Sequence, residues 1–402
     1  MKVIQINATY DKSSVGKIVH DIKLGLDQLK IDNYVIFGRG ENCFEDDSHV
    51  FKIGSESAAH RSHIKALFTG LYYSCSVKNT KRILAKIHEI KPDIIHIHCL
   101  NGFFIDVPYF INEIKRAGMA SILTLHAEFM YTGTCGYAND CQRFIKGCHD
   151  CPYLHDIDNN FMKDNVSKSN TLFANAFSEY KKFIAVGVSP WVSSRASKSL
   201  ILSHSRHSAV LNGVDCDIFK RYDRTHWSKK FANKQIILNV TSNFSFPEKG
   251  GSTFLEIARR HINNKRLIFV VAGTANFIKA PENVIFIGRL NSQKELAQLY
   301  SASSLTLLPN KRETFLMAVP ESLCCGTPVV GYCAGGPESI ALSKYSSFVK
   351  YGDIDSLSSV VDKWIAKSKT VSHKRIEKEA HDKYSKEEMV KNYIQEYEKL
   401  VK

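Results

Sequence analysis

Two carboxylates and two glycine turns lie within the run Glu313–Glu338, and their types and spacing suit a polar ligand site. Glu313 and Glu321 are separated by seven residues, and the turn Cys325–Pro328 then leads into a short apolar strand. A second turn, Gly335–Glu338, follows that strand. Carboxylates and glycine turns at the carboxyl ends of parallel strands form the crevice in which open α/β sheets bind ligands. We therefore expect a ligand site here.

These four linked elements resemble the donor-sugar site of glycosyltransferase family 4, a large family of retaining enzymes that use nucleotide sugars. Members carry Glu-x7-Glu, then a Gly-Thr-Pro-Val turn, then a Gly-Gly-x-Glu turn. The resemblance implies that Glu321 accepts hydrogen bonds from the two ribose hydroxyls. It also implies that Glu313, with the backbone at Thr314 and Phe315, holds hydroxyls of the sugar.

A lysine and two glycines, Lys249–Gly251, follow the predicted strand Ile236–Val240 and precede a predicted helix. Family members use a Lys-Gly pair here to neutralise the diphosphate. The leaving nucleotide diphosphate gains negative charge as the glycosidic bond breaks, and a lysine with helix amides stabilises that charge. By the same resemblance, Arg289 lies in the base-binding loop after the predicted strand Val284–Ile287.

The chain departs from the family pattern in three places. Leu316 stands where glycine is common, and Pro320 directly precedes Glu321, so we expect both to reshape the sugar pocket. Many members also have an arginine about five residues before the lysine, whereas Ser242–Phe246 contains none. Three basic residues are candidates to replace that phosphate contact: Arg289, Lys311 and Arg312.

The resemblance also implies site residues in the first half of the chain. Gly16 and Lys17 begin a predicted helix where the family has a glycine-rich loop, and amides at such a position approach a phosphate or sugar closely. A plain helix-start glycine is the alternative. His126 ends the predicted strand Ile122–Leu125, where the family has a histidine that contacts the donor sugar. A hydrogen-bonded structural histidine is the alternative.

The implied reaction is a retaining hexosyl or N-acetylhexosaminyl transfer with His126, Glu313 and Lys249 as catalytic residues. Glycoside hydrolases with two flanking carboxylates form a covalent intermediate. Here we expect a front-side path instead, in which the leaving phosphate is the base and catalysis comes from positioning and charge stabilisation. No cofactor is expected for catalysis, because a lysine and helix amides replace a divalent metal. UDP is the first expected nucleotide and GDP the second.

Four of the eleven cysteines lie within 17 residues: Cys135, Cys141, Cys148 and Cys151. A reducing cytosol argues against disulfides, and four thiolates at short spacing can form a tetrahedral zinc site. A subset of bacterial family-4 enzymes in surface-polysaccharide pathways carries a similar insert. We therefore expect a structural zinc in the insert 132–152, near the acceptor side, with His149 or His155 as a substitute ligand. Reduced packing cysteines are the alternative.

Strand and helix signals alternate along the chain, which indicates parallel sheets with right-handed crossovers. With the resemblance, this predicts an α/β GT-B fold: two Rossmann-like, doubly wound domains facing an interdomain cleft. We place an acceptor-side domain at 1–215, a hinge at 216–230 and a nucleotide-sugar-binding domain at 231–385. A terminal helix at 386–402 is expected to pack back on the first domain.

Composition sets limits on the class of protein. The 402 residues suit two domains, and 44 % hydrophobic with 23 % charged residues is ordinary for a soluble globular protein. The N-terminus has no long apolar core, and no stretch approaches the roughly 20 apolar residues of a membrane span, so we expect a cytoplasmic location. The net charge of +14 favours an anionic partner. Scattered basic residues, with no helix-turn-helix or RNP-type pattern, count against nucleic acid.

The segment His60–Ser74 mixes basic residues with Leu67, Phe68 and Tyr72. That pattern suits an interfacial element that contacts an anionic membrane and a lipid-linked acceptor. An ordinary amphipathic helix packed on its domain is the alternative. A peripheral position at the inner face of the plasma membrane is consistent with the first interpretation.

The leading hypothesis is a glycosyltransferase that assembles an exopolysaccharide, capsule or O-antigen repeat on a glycan or lipid-linked acceptor. Two alternatives stay open. A GT-B nucleotide-sugar 2-epimerase would transfer no sugar to an external acceptor, and the Glu-x7-Glu and Lys-Gly pairing argues against it. The other is a zinc-containing binding protein that has lost catalysis, to which the missing arginine and Leu316 give some weight.

Overall fold

The computed structural model describes residues 1–41, 44, 46–155, 162–276, 278–368 and 370–401. The chain forms two compact units. One comprises Met1–Leu211 together with Met389–Lys402, and the other comprises Asn212–Glu388. Each unit is built on a parallel sheet connected by helices, which confirms the α/β class expected from the sequence.

The first unit has a seven-stranded parallel sheet in the described part of the chain. Its strands are β1 (Lys2–Asn7), β2 (Asp32–Phe37), β3 (Val50–Lys52), β4 (Ile94–Ile97), β5 (Ala120–Leu125), β6 (Phe183–Gly187) and β7 (Arg206–Ala209). Its helices are α1 (Ser14–Gln28), α2 (Glu56–Thr69), α3 (Val77–Ile90), α4 (Val107–Arg116), α5 (Phe129–Thr132), α6 (Val166–Phe177) and α7 (Pro190–Ala196). The strand order β3-β2-β1-β4-β5-β6-β7 reverses between β1 and β4, which makes this point the switch of a doubly wound sheet.

The second unit repeats this plan with a six-stranded parallel sheet across its described residues. Its strands are β8 (Gln235–Asn243), β9 (Leu267–Thr274), β10 (Val284–Gly288), β11 (Leu305–Leu308), β12 (Val329–Tyr332) and β13 (Ser346–Val349). Its helices are α8 (Thr225–Lys230), α9 (Gly251–Arg260), α10 (Gln293–Ala302), α11 (Ala318–Cys324), α12 (Gly336–Ile340), α13 (Ile354–Lys367) and α14 (His373–Tyr384). The order β10-β9-β8-β11-β12-β13 reverses between β8 and β11, so the ligand crevice of this sheet is expected at the ends of those two strands.

A long helix at the end of the chain, α15 (Lys386–Val401), packs into the core of the first unit. Val390, Tyr393 and Tyr397 belong to one buried cluster with residues of β1 and α1. The helices approach closely because α1 has glycine at position 25, where a Cβ would clash with the Val390 methyl groups. The buried aromatic face of α15 therefore completes a core that the N-terminal residues begin.

Residues 216–230, the segment that we expect to be a hinge, belong to the second unit. The Trp227 side chain is 1 % exposed. The Tyr222 amide donates to Ser301 Oγ at 3.0 Å, and the Arg221 amide donates to Glu377 Oε1 at 2.9 Å. These contacts attach the segment to α10 and α14.

The segment His60–Ser74 forms most of α2 and the turn after it. The helix ends at Gly70, which adopts a left-handed conformation with φ 65°. Ala66 and Tyr72 are buried in a cluster within the first unit, which fits the alternative of a packed amphipathic helix, whereas Phe68 is 56 % exposed. Every helix in the described part of the chain is too short or too polar to span a bilayer.

Candidate functional site

Lys249 and Glu313 form an ion pair at the switch point of the second sheet. The distance from Lys249 Nζ to Glu313 Oε1 is 2.7 Å, and Asn310 Nδ2 donates to the same oxygen at 2.8 Å. Lys249 follows β8, whereas Asn310 and Glu313 follow β11, the two strands between which the order reverses. Because both bonds converge on Oε1, Glu313 Oε2 keeps its capacity to accept a hydrogen bond from a ligand.

The turn that carries Lys249 is fixed against the loop after β11. Gly250 has φ 72° and begins α9, and a Cβ at this position would overlap the Pro309 carbonyl oxygen, so only glycine fits. The Lys311 amide donates to the Glu248 carbonyl at 2.8 Å across the same contact. The ammonium of Lys249 and the amides at the start of α9 therefore lie next to each other, which favours an anion at this point.

Glu321 lies on α11 beside the buried Tyr300 of α10. The Tyr300 hydroxyl donates to Glu321 Oε2 at 3.1 Å. Thr327 of the glycine turn holds Tyr300 in place, because its hydroxyl donates to the Tyr300 carbonyl at 2.6 Å. Burial raises the pKa of Glu321 to about 7, and the Tyr300 hydrogen bond offsets part of that rise. Near neutral pH this carboxyl is therefore divided between its protonated and ionised forms.

The second glycine turn supports the loop that carries Glu313. The Glu313 amide donates to the Ala334 carbonyl at 3.0 Å, and the Gly336 amide donates to the Glu313 carbonyl at 2.9 Å. Glu338 accepts from the amides of Ala334 and Gly335 at 2.9 and 2.8 Å, so its carboxylate caps α12. The Gly-Gly-x-Glu turn thus positions Glu313.

Leu316 and Pro320, which depart from the family pattern, each have a backbone explanation. Leu316 has φ 71°, a left-handed conformation that glycine adopts without strain and a branched residue does not. Pro320 lies in the first turn of α11, where amide groups have no partner within the helix, so the missing N–H costs little.

We predict that Leu316→Gly is more stable than Leu316→Ala by about 1 kcal/mol, the reverse of the usual order of these residues. Both variants remove the side chain, but only glycine relieves the strain at φ 71°. Urea unfolding of the two variants measures the difference. Equal free energies of unfolding would show that the backbone at 316 is not strained.

Thr314 and Phe315 are buried, 8 and 3 % exposed, and continue the loop from Glu313. Arg289 is exposed and follows the edge strand β10. Strand β10, which precedes Arg289, lies two strands from β8, so these two strands are about 10 Å apart. Lys311 is also exposed, whereas Arg312 is half-buried. The sheet order therefore brings Lys249 and Glu313 together and leaves Arg289 to one side.

Half-buried His126 directly follows β5 in the first unit and belongs to a chain of polar groups that continues into the buried residues His98 and Gln5. His126 Nε2 lies 3.2 Å from His98 Nδ1, and His98 Nε2 lies 3.1 Å from Gln5 Oε1. Gln5 donates its amide to the Val19 carbonyl, so its oxygen accepts from His98. His98 Nδ1 then accepts from His126 Nε2, which leaves Nδ1 as the acceptor nitrogen of His126. Burial lowers the pKa of His126 to about 3, so the ring is neutral near pH 7.

Gly16 and Lys17 occupy the first turn of α1. The Gly16 amide donates to Ser13 Oγ at 3.2 Å, and the Lys17 amide donates to the Ser13 carbonyl at 3.1 Å. Gly16 is buried and Lys17 is exposed. Ser13 therefore already caps these amides, and the Lys17 side chain is the group that faces solvent.

The four cysteines of the insert lie near one another in the first unit. A hydrogen bond with Cys135 lowers the pKa of Cys151 to about 7. Burial raises the pKa of Cys148, and the nearby Cys141 and Cys151 raise it further. Buried Glu128 anchors this insert: it accepts from the Ala138 amide at 2.8 Å. Among the described residues, no three of these sulfur atoms all lie within 4.8 Å of one another.

Sequence reasoning missed two residues of this site. Asn310 contacts Glu313, and its position two residues beyond the carboxyl end of the parallel strand β11 was a signal that could have identified it. Tyr300 contacts Glu321 from the end of α10 and is separated from it by 21 positions. No local pattern marks that tyrosine, because only the packing of α10 on α11 brings the two together.

The chain is similar in sequence and in fold to several known proteins. Residues 223–383 match the family model described as "Glycosyl transferases group 1". A "Putative colanic acid biosynthesis glycosyl transferase WcaC" of Escherichia coli (strain K12) is 22 % identical over 229 residues. That match covers 54 % of this chain and 55 % of the relative, so it spans about half the relative's length.

A second relative is an "Uncharacterized 41.2 kDa protein in cps region" of Klebsiella pneumoniae. It is 23 % identical over 366 residues, 88 % of this chain and 92 % of the relative. Among solved structures, Anabaena Alr3699/HepE in complex with UDP has a TM-score of 0.66 at 14 % identity, and the match covers 99 % of this chain and 100 % of HepE. The chain therefore has the GT-B fold expected from its sequence.

Proposed function

We propose that the protein is a retaining glycosyltransferase of bacterial surface-polysaccharide assembly. It moves a hexosyl or N-acetylhexosaminyl group from a nucleotide-diphosphate sugar to a hydroxyl of a glycan acceptor, which we propose to be lipid-linked. The observation that carries this proposal is the Lys249–Glu313 pair, 2.7 Å apart at the switch point of the second sheet.

The chemistry follows from the charges at this point. As the glycosidic bond breaks, the diphosphate gains negative charge, which Lys249 and the amides of α9 stabilise. Glu313 holds the ammonium of Lys249 through Oε1 and offers Oε2 to a sugar hydroxyl. Glu321 accepts from the ribose hydroxyls in its ionised form. No step needs a cofactor.

The donor proposed is a UDP-sugar, with GDP as the second choice. HepE, which shares the fold, is described in complex with UDP, UDP-glucose, and UDP with glucose. The name of the E. coli relative refers to colanic acid biosynthesis, and the Klebsiella relative is described from a cps region. These descriptions support a role in polysaccharide assembly.

Residues outside the Lys249–Glu313 pair receive supporting roles in this proposal. His126, neutral near pH 7, is assigned a contact with the donor sugar. Gly16 and Lys17 are assigned to donor binding, and the exposed Lys17 side chain is the group that makes the contact. Arg289 contacts the base or an outer phosphate.

We also propose that the insert binds one structural zinc ion through Cys135, Cys141, Cys148 and Cys151. The nearness of Cys151 to Cys135, and of Cys148 to Cys141 and Cys151, supports this. Elemental analysis of the purified protein tests it: the double variant Cys148→Ser/Cys151→Ser is expected to lose one equivalent of zinc that Cys75→Ser retains. An unchanged zinc content would contradict the site.

A peripheral membrane contact is proposed for α2, at the inner face of the membrane. Arg61, Lys65 and Phe68 are exposed and lie on one face of the helix, so basic and apolar groups point the same way. Sedimentation with vesicles of phosphatidylglycerol and phosphatidylcholine tests this. Phe68→Ser is expected to weaken binding to the anionic vesicles, and binding equal to wild type would contradict the contact.

The experiment that tests the activity is incubation of the purified protein with UDP- and GDP-sugars, with nucleotide release as the readout. We expect slow release of one nucleotide without acceptor and faster release with a glycan acceptor. Tight nucleotide binding without release would indicate a binding protein that has lost catalysis. Release of the epimeric free sugar would indicate an epimerase. No binding of any nucleotide would overturn the proposal.

A further inference from the structure

We propose that the second unit binds one zinc ion between Cys216, Cys324 and His381. One ligand atom from each of these three side chains lies within 4.8 Å of the other two, and the set is the one group of this kind among the described residues. Cys324 is buried, and Cys216 and His381 are half-buried. The site is separate from the insert, which belongs to the first unit, and it does not depend on the proposed activity.

The three ligands come from elements that the fold already holds together. Cys324 ends α11, His381 lies in α14, and Cys216 lies in the segment that opens the second unit. That segment is tied to the end of α14, because the Val214 amide donates to the Tyr384 carbonyl at 2.7 Å. The cluster is therefore organised by backbone contacts before any ion binds.

The hydrogen bond that the histidine ring makes leaves its other nitrogen with a lone pair for a metal ion. His381 Nε2 lies 3.0 Å from the Phe219 carbonyl oxygen, which can only accept, so Nε2 carries the proton and Nδ1 carries the lone pair. Phe219 is itself held by a 2.7 Å hydrogen bond from its amide to the Asp215 carbonyl. A carbonyl that accepts from the second ring nitrogen is the usual outer partner of a metal-bound histidine.

The ligand set selects the type of ion. Two thiolates and one imidazole favour Zn²⁺ over Mg²⁺ or Ca²⁺, which prefer oxygen ligands. Binding releases the two thiol protons to solvent and forms two zinc–sulfur bonds and one zinc–nitrogen bond. Solvent supplies the fourth ligand, since Cys216 and His381 are only half-buried.

A bound ion would connect three parts of the second unit. Cys324 is three residues after Glu321 on α11, so the ion fastens the helix that carries Glu321 to α14 and to the segment 214–219. We therefore expect zinc to raise the melting temperature of the protein in a concentration-dependent way.

Cobalt titration of the reduced, metal-free full chain tests the site, because thiolate-to-cobalt absorption reports sulfur ligands. The parent protein is the variant Cys148→Ser/Cys151→Ser, which removes two insert cysteines. If this variant does not fold, the wild-type chain is titrated instead, and we then expect one equivalent of cobalt in addition to the one bound by the insert. We expect one cobalt per parent chain, displaced by zinc. Cys216→Ser and His381→Asn are expected to weaken binding at least tenfold, whereas Cys333→Ser, at an exposed cysteine, binds normally.

Three results would overturn the proposal. The first is an unchanged cobalt spectrum and affinity in Cys216→Ser. The second is no cobalt uptake by the folded parent chain. The third is peptide mapping that finds Cys216 and Cys324 joined as a disulfide in protein purified without reductant, with no metal bound after reduction.

Discussion

Replacing Lys249 with alanine is expected to lower kcat for sugar transfer by about 100- to 1,000-fold, the usual loss when one group that stabilises transition-state charge is removed. Lys249 is the cation that the fold brings to the switch point beside Glu313. The diphosphate carries more negative charge in the transition state than in the bound donor, so the lysine contributes more to kcat than to donor affinity. Steady-state kinetics with saturating donor measure the effect.

Two controls separate this charge effect from simple disruption of the ion pair. Lys363→Ala removes an exposed lysine from α13, a helix to which no site residue is assigned, and we expect little change in kcat. The double variant Lys249→Ala/Glu313→Gln also removes the carboxylate, 7 % exposed, that Lys249→Ala leaves with Asn310 but without a cation. Recovery of activity in the double variant, or wild-type turnover by Lys249→Ala, would contradict the assigned role.

Replacing Glu321 with glutamine is expected to weaken nucleotide binding by about 10- to 100-fold, because hydrogen bonds to a charged group contribute about 1.5–3 kcal/mol.

The nucleotide affinity of the wild-type protein should depend on pH. The ligand binds the ionised carboxylate, and the pKa of Glu321 is raised to about 7 in the ligand-free protein. Affinity is therefore expected to fall as the pH is lowered through about 7, and to be flat across this range in Glu321→Gln. Calorimetric titrations at a series of pH values measure both.

Tyr300→Phe is the matched control for this pH dependence. The Tyr300 hydroxyl donates to Glu321 and lowers its pKa, so its removal should move the midpoint to higher pH. Nucleotide affinity of the wild type that does not change between about pH 6 and pH 8 would contradict the assignment of Glu321.

The same pKa predicts an effect on stability without ligand. The folded-state pKa of Glu321 is raised above that of the unfolded chain, so its contribution to stability is present below the unfolded pKa and is lost as the pH rises through about 7. Glu321→Gln cannot ionise. We expect it to be more stable than wild type by about 1–3 kcal/mol near pH 8, with a much smaller difference near pH 5.

The strained Leu316 shows what sequence and structure each contribute. The sequence alone identifies the departure from glycine, and the structure supplies the reason that glycine is common there, a φ of 71°. Pro320 is the contrasting case. The sequence also marks it as an unusual residue, but the structure places it in a helix turn that tolerates proline. The role of Gly16 was harder to predict, since the capping hydroxyl of Ser13 decides whether its amide is available.

The sequence by itself determined the α/β class, the succession of strands and helices, and the run Glu313–Glu338. These depend on the period of apolar residues and on motifs within a few tens of positions, which a chain carries locally. Tertiary structure alone decided which side chains meet. Lys249 and Glu313 are 64 positions apart, and His98 and His126 are 28 apart. Such pairs form because strand order brings the ends of distant strands to one edge of a sheet, and strand order is set by long-range packing rather than by any local pattern.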